Sequence, residues 1–155
     1  MAKHHIKMVC GHTETHEIYG PMKDRPRKAT AISYRQCHDC NSNDNLQRGA
    51  QAATANAAAG LPILKGSPKQ IAWAESIRET ALAEDAEWLA VTLDVGRKQV
   101  EAGEGTEAQY DLLAAQLNGG YAALRHEASA TYWIDSRSSG NGARVKAKAR
   151  DFAKV

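Results

Sequence analysis

The chain has 155 residues, 43% of them hydrophobic, three cysteines and a net charge of +2. This length suits one ordinary domain or a small module joined to a larger one, and the composition excludes a disordered chain. No apolar run approaches the ~20 residues of a membrane span; the start "MAKHHIKMVC" lacks a signal-peptide core, and an odd cysteine count points to reduced thiols, so a cytoplasmic protein with no membrane partner is expected.

The charge is unevenly spread. Residues 1–48 carry eight Lys/Arg against five Asp/Glu, residues 49–137 seven against twelve, and residues 138–155 five against one. Two basic ends flank an acidic middle, and this pattern restricts partners more than the total does.

Residues 1–41 form short alternating runs punctuated by Gly and Pro. "IKMVCGHTETHEIYG" alternates like strands around Gly11 and stops at Gly20-Pro21, and "KATAISYRQC" reads as a further strand leading into Cys37. A small antiparallel β unit is expected, of zinc-ribbon type. From Ser42 the grammar turns helical. Ala-rich residues 43–59 follow Ser42 or Asn43 as cap, and Gly60 with Pro62 ends them. After the linker "LPILKG", "SPKQ" opens a helix over 68–102, with Ser67 as N-cap, Pro68 at the first position and Gln70 completing a capping box.

Two apolar rows, one containing Leu82, Leu89 and Leu93 and the other Trp73, Ile77, Trp88, Val91 and Val95, make a wide buried stripe. "TEAQ" repeats the capping box at Thr106 and Gln109 and opens a helix over 106–136, with a break or kink at Gly119-Gly120 as the alternative. The two long helices form an antiparallel hairpin. Residues 138–155, with "SSGNG" leading into "ARVKAKARDFAKV", read as a flexible basic tail. The fold class is α+β: a module over 1–41, a helical region over 42–137, and the tail.

Cys37 and Cys40 have the C-x-x-C spacing that lets two thiolates from one tight turn reach one ion. Cys10 and His12, separated by Gly11, form a second knuckle, and the span between the pairs leaves room for intervening structure. Three cysteines and one histidine supply the four N/S ligands of one structural zinc. The fourth ligand is read as His12, with His4, His5, His16 and His38 nearby as alternatives. A catalytic metal held by the histidines and Glu14 of "HTETHE", as in a metal-dependent hydrolase, is a weaker reading, since it leaves Cys37 and Cys40 idle. No P-loop, G-x-S-x-G or G-x-G-x-x-G is present, and a non-enzymatic protein is expected.

Lys23, Arg25, Arg27, Lys28 and Arg35 lie between the knuckles with Tyr19 and Tyr34, a combination suited to phosphates and base stacking. The tail adds Arg144, Lys146, Lys148, Arg150 and Lys154. Both segments are candidate nucleic-acid contacts; the bland alternative is solvated charge. The acidic hairpin residues Glu84, Asp85, Glu87 and Asp94 would repel phosphates, so that surface faces solvent or a protein.

"LPILKGSPKQIAWAESIR" (61–78) and "TYWIDSR" (131–137), behind the N-terminal knuckles, resemble a group of small uncharacterised proteins of bacteria and their phages or mobile elements. The shared order is zinc knuckles, then G-S-x-K-Q-x-x-W-A-x-x-I-R, then W-I-D-x-R. The resemblance implies architecture and a mobile-element context and carries over no catalytic residues; the short C-x-H of the first knuckle departs from the pattern. The expected function is zinc-dependent binding of nucleic acid or a nucleoprotein. The alternative is a protein-binding inhibitor of a host defence system, of anti-CRISPR kind.

Overall fold

A computed structural model describes residues 2–152. The architecture is α+β: a two-stranded antiparallel sheet at the N-terminus followed by a mostly helical region. The chain divides into two compact units, Met1–Gln47 and Arg48–Val155.

In the first unit, strands β1 (Ala2–Lys7) and β2 (Thr13–Ile18) pair in a register that sets His4 opposite His16 and Ile6 opposite Glu14. Period-two alternation sorts their side chains. Ile6, Met8 and Ile18 are buried with His4, Glu14 and His16 half-buried on the same side, while Lys3, His5, Lys7, Thr15 and Glu17 face solvent.

A 3₁₀ turn over Met22–Asp24 leads into helix α1 (Arg25–Ser33). The strand expected at "KATAISYR" is therefore a helix. Pro26 at its start pre-sets a helical φ, and Ala29 and Ile32, three apart, pack against the sheet's buried side chains. The alternation of Ala, Ile and Tyr that suggested a strand also satisfies a helix with one narrow apolar face. Helix α2 (His38–Ala58) begins five residues earlier than the first Ser/Asn cap would place it, so Cys37 precedes the helix and Cys40 lies in its first turn.

The second unit holds α3 (Pro68–Glu101), α4 (Glu107–Arg125), α5 (Ala130–Asp135) and α6 (Ala143–Phe152). Both expected capping boxes are present: Ser67 with Gln70 and Thr106 with Gln109. The core gathers Leu64, Leu82, Leu89, Leu117, Leu124, Trp133 and Val145. The stripe read on α3 was too wide: Trp73 is 52% exposed and stacks under Arg137, and Val91 and Val95 are also exposed.

The single helix expected over 106–136 is two helices. Lys65 N–H donates to Ala128 O (2.7 Å) and Ala130 N–H to Lys65 O (3.0 Å), which pulls residues 128–130 into an extended bridge. Ser129 then caps α5 by accepting from Tyr132 N–H at 3.2 Å. Gly119-Gly120, the expected weak point, lies inside an unbroken α4. The reason is α6: a Cβ on Gly120 would stand 2.6 Å from Val145 O and 2.8 Å from Ala149 N, so glycine admits the backbone of the last helix.

The flexible tail is thus corrected: residues 143–152 form helix α6 and pack through its buried face. Val145 and Ala149 are buried, and Gly142, at φ 75°, lies so close to the Trp88 ring that a Cβ would overlap it. Lys154 lies outside the described residues.

Two buried polar networks escaped the sequence reading. Glu75 Oε2 accepts from Arg78 Nη2 (2.6 Å) and from Asn56 Nδ2 (2.6 Å), while Arg78 Nη1 donates to Pro62 O at 2.7 Å. Asp85, placed on an exposed acidic face by its sequence neighbours, is 0% exposed and meets Arg144, itself 3% exposed.

Candidate metal centre

The β1–β2 connection is a tight turn. Met8 N–H donates to His12 O (2.8 Å), Gly11 N–H donates to Met8 O (2.9 Å), and Gly11 holds φ 86°, a conformation open to glycine at low cost. This turn projects Cys10 and His12 from one end of the sheet. The other pair comes from the start of α2, where Cys37 is buried and Cys40 half-buried.

Cys10, His12, Cys37 and Cys40 each offer one ligand atom, and these atoms all lie within 4.8 Å of one another, close enough to hold a metal ion. His12 Nδ1 is 3.5 Å from Cys37 Sγ and 3.3 Å from Cys40 Sγ. A tetrahedral zinc with bonds of about 2.3 Å to sulfur and 2.0–2.1 Å to nitrogen has S–N edges of about 3.5 Å, so the spacing fits zinc. Soft thiolates with one imidazole also exclude the hard-cation chemistry of calcium and magnesium.

Of the five histidines in this unit, only His12 brings a ring nitrogen into the cluster. His5 pairs with Thr15 (3.0 Å), His16 with Glu14 (3.0 Å), and the exposed His38 ring approaches Asp39 at 3.4 Å. His4 lies opposite His16 in the sheet. The histidine–carboxylate strand site considered from "HTETHE" is not assembled: His12 sits in the turn with the cysteines, while Glu14 and His16 bond each other on the sheet's inner side.

Backbone N–H groups at the α2 start feed the sulfurs. Cys37 N–H donates to Cys10 Sγ (3.3 Å) and Cys40 N–H to Cys37 Sγ (3.4 Å). The first of these bonds, with help from His12, brings the Cys10 thiol down to about 6. The Cys40 thiol is pushed up to about 12 by its hydrogen bond with Cys37, by desolvation and by the neighbouring Cys10. Without a cation, crowded sulfurs resist joint ionisation; a divalent ion reverses that preference.

The sign of the pH dependence follows. At pH 7 Cys10 is ionised in the metal-free site and Cys40 is protonated, so loading must displace the Cys40 proton. Apparent zinc affinity therefore rises with pH, by about tenfold per pH unit for each proton displaced, and steepens below about pH 6, where Cys10 takes up a proton as well. Chelator competition between pH 5.5 and 8 measures this slope; a flat profile would contradict thiolate ligation.

The candidate nucleic-acid residues fall into separate groups. Lys23, Arg27 and Arg35 have exposed side chains. Arg25 Nε donates to Gly20 O (3.2 Å) and Lys28 Nζ to Tyr19 O (2.7 Å), so these two cations brace the connection after β2.

In the second unit Arg144 is buried, its Nε donating to Asp85 Oδ2 at 2.7 Å, and is withdrawn from the candidate surface. Lys148 Nζ donates to Glu127 Oε2 at 2.6 Å and lies over the Tyr132 ring. Burial pushes the Glu127 carboxyl up, but Lys148 and the Ser129 N–H outweigh it and leave the carboxyl below its ordinary value, so Lys148 is also engaged. Lys146 and Arg150 remain exposed, Lys146 lying over Trp88 at 5.1 Å.

Among the described residues, no helix is long and apolar enough to cross a membrane. Compared with protein-family models, with curated proteins and with solved structures, the chain matches none.

Proposed function

We propose that this is a non-enzymatic protein with one structural zinc, whose metal-stabilised first unit binds nucleic acid through the outer face of α1. The supporting observation is the sorting of side chains around that helix. Ala29 and Ile32 turn to the core, while Arg27 on α1, Lys23 on the 3₁₀ turn before it and Tyr34 just after it have exposed side chains. Tyr34 is 77% exposed, and Asp24 is the sole acid between residues 18 and 38. Cations take phosphates, and an exposed ring offers a stacking face.

Such contacts read the backbone and are indifferent to base sequence. Replacing Lys23, Arg27 and Arg35 together by Ala should weaken binding uniformly across sequences and flatten the logarithmic salt dependence by about one unit of slope for each phosphate-binding cation removed. Arg25 and Lys28 are left in place because both brace the fold. Unchanged affinity and slope, measured by anisotropy with labelled DNA and RNA oligomers, would overturn the reading.

A second reading rests on the hairpin. On α3, Val91 and Val95 are exposed at helical spacing with the exposed acids Glu84, Glu87 and Asp94, a face suited to a basic protein. In the mobile-element context implied by the motifs at 61–78 and 131–137, that partner would belong to a host defence system. A nuclease-insensitive complex captured from the native host and abolished by Val91→Glu with Val95→Glu would favour it.

A further inference from the structure

We infer that Glu14 is a positioning residue for the metal centre, holding its two ligand pairs in register across the strand–helix junction. The inference rests on the reading of the four-residue cluster as a metal site. Cys10 and His12 come from the β1–β2 turn, and Cys37 and Cys40 from the start of α2. Between these elements runs a side-chain bridge that uses no ligand atom. Glu14 Oε1 accepts from the His38 backbone N–H at 2.6 Å, and Glu14 Oε2 lies 3.0 Å from His16 Nε2.

The chemistry suits a clamp. Glu14 is two residues beyond His12 on β2, and His38 is the residue after Cys37, so the bond spans the two halves beside the ligands themselves. A helix start leaves its first N–H groups without intrahelical acceptors, and a carboxylate is favoured there. At the start of α2 the Cys37 and Cys40 N–H groups go to sulfur, and the His38 N–H goes to Glu14. His16, inward-facing and half-buried on the same strand, fixes the other carboxylate oxygen. Groups that orient ligands in this way typically account for ten- to a hundredfold of metal affinity.

The bond can be removed from either side. Glu14→Ala deletes the acceptor. His38→Pro deletes the donor at the first helical position, where proline is tolerated. His38→Ala keeps the backbone N–H and serves as control. Zinc affinity by competition with a chromophoric chelator, and the visible spectrum of the cobalt-loaded protein, are compared for the full chain.

The expected result is a roughly ten- to hundredfold loss of affinity with altered cobalt bands for Glu14→Ala and for His38→Pro. The double variant should be no worse than either alone, because both remove one bond. His38→Ala should match the wild type. If Glu14→Ala lowers thermal stability but leaves affinity and cobalt spectrum unchanged, Glu14 merely caps α2 and the inference is overturned. Additive losses overturn it too. Should Glu14→Ala fail to fold, His38→Pro alone decides by the same readouts. A wild-type chain that takes up neither zinc nor cobalt defeats the metal reading itself, a result distinct from these.

Discussion

Cys37→Ser should unfold the first unit while leaving most of the helical signal intact. The first unit's buried apolar set is small: Ile6, Met8, Ile18 and Cys37, with Cys10, Ala29, Ile32 and Cys40 packed against it. Three of these eight are the proposed sulfur ligands. A two-stranded sheet is marginal by itself, and a unit of this size ordinarily needs a staple. A structural zinc supplies roughly 10 kcal/mol or more in small metal-folded domains, beyond what this core offers. The second unit has its own core around Trp133 and Leu124 and most of the helical residues. Hydrogen exchange should show protection lost over β1, β2 and α1 and retained over α3 and α4. Protection lost in both units, or in neither, would contradict this division of stability.

Asp85→Ala should cost the second unit about 3–5 kcal/mol, because it strands the Arg144 guanidinium. Asp85 Oδ1 accepts from Gly142 N–H (2.8 Å) and Oδ2 from Arg144 Nε (2.7 Å). Arg144 Nη1 then donates to Ser136 O (3.2 Å) and Ser139 O (3.3 Å). One buried carboxylate thus orders the chain from α5 to α6 and seats Gly142 on Trp88. Glu84, half-exposed and 3.7 Å from Arg144 Nη2, is the control: Glu84→Ala should cost less than about 1 kcal/mol. Replacing Asp85 and Arg144 together by leucine should be milder than Asp85→Ala, since no charge is left unpaired. Chemical denaturation separates these three variants.

The local signals in the sequence were strong where the residue's own chemistry decides the outcome. Ser67-Pro68 with Gln70, and Thr106 with Gln109, dictate helix starts through their side-chain bonds, and both appear at the expected positions. C-x-x-C and C-x-H spacing led to the four residues of the candidate metal cluster without knowledge of the elements that carry them. Long-range packing was illegible. At Gly119-Gly120 a break stayed open as the alternative to a continuous helix, because the α6 backbone against it is 25 and more residues away in sequence. "SRSSGNG" looked like a flexible linker because Gly142 is explained by the Trp88 ring and the Asp85 carboxylate.

Helical phase alone sets Asp85 apart from Glu84 and Glu87, on the line of the buried Leu82 and Leu89; the Gly142 N–H and the Arg144 guanidinium that make that inward place tolerable lie far along the chain. The strand misread at 28–37 has the same origin. Its Ala29–Ile32 pair fits both periods, and the sheet it packs on decides.

The most direct test of the metal centre is elemental analysis of the protein purified in reducing buffer without a metal-binding tag. About one zinc per chain is predicted, retained through gel filtration and lost with Cys10→Ser, His12→Ala, Cys37→Ser or Cys40→Ser. A chain that folds its first unit with no bound metal would contradict the proposal.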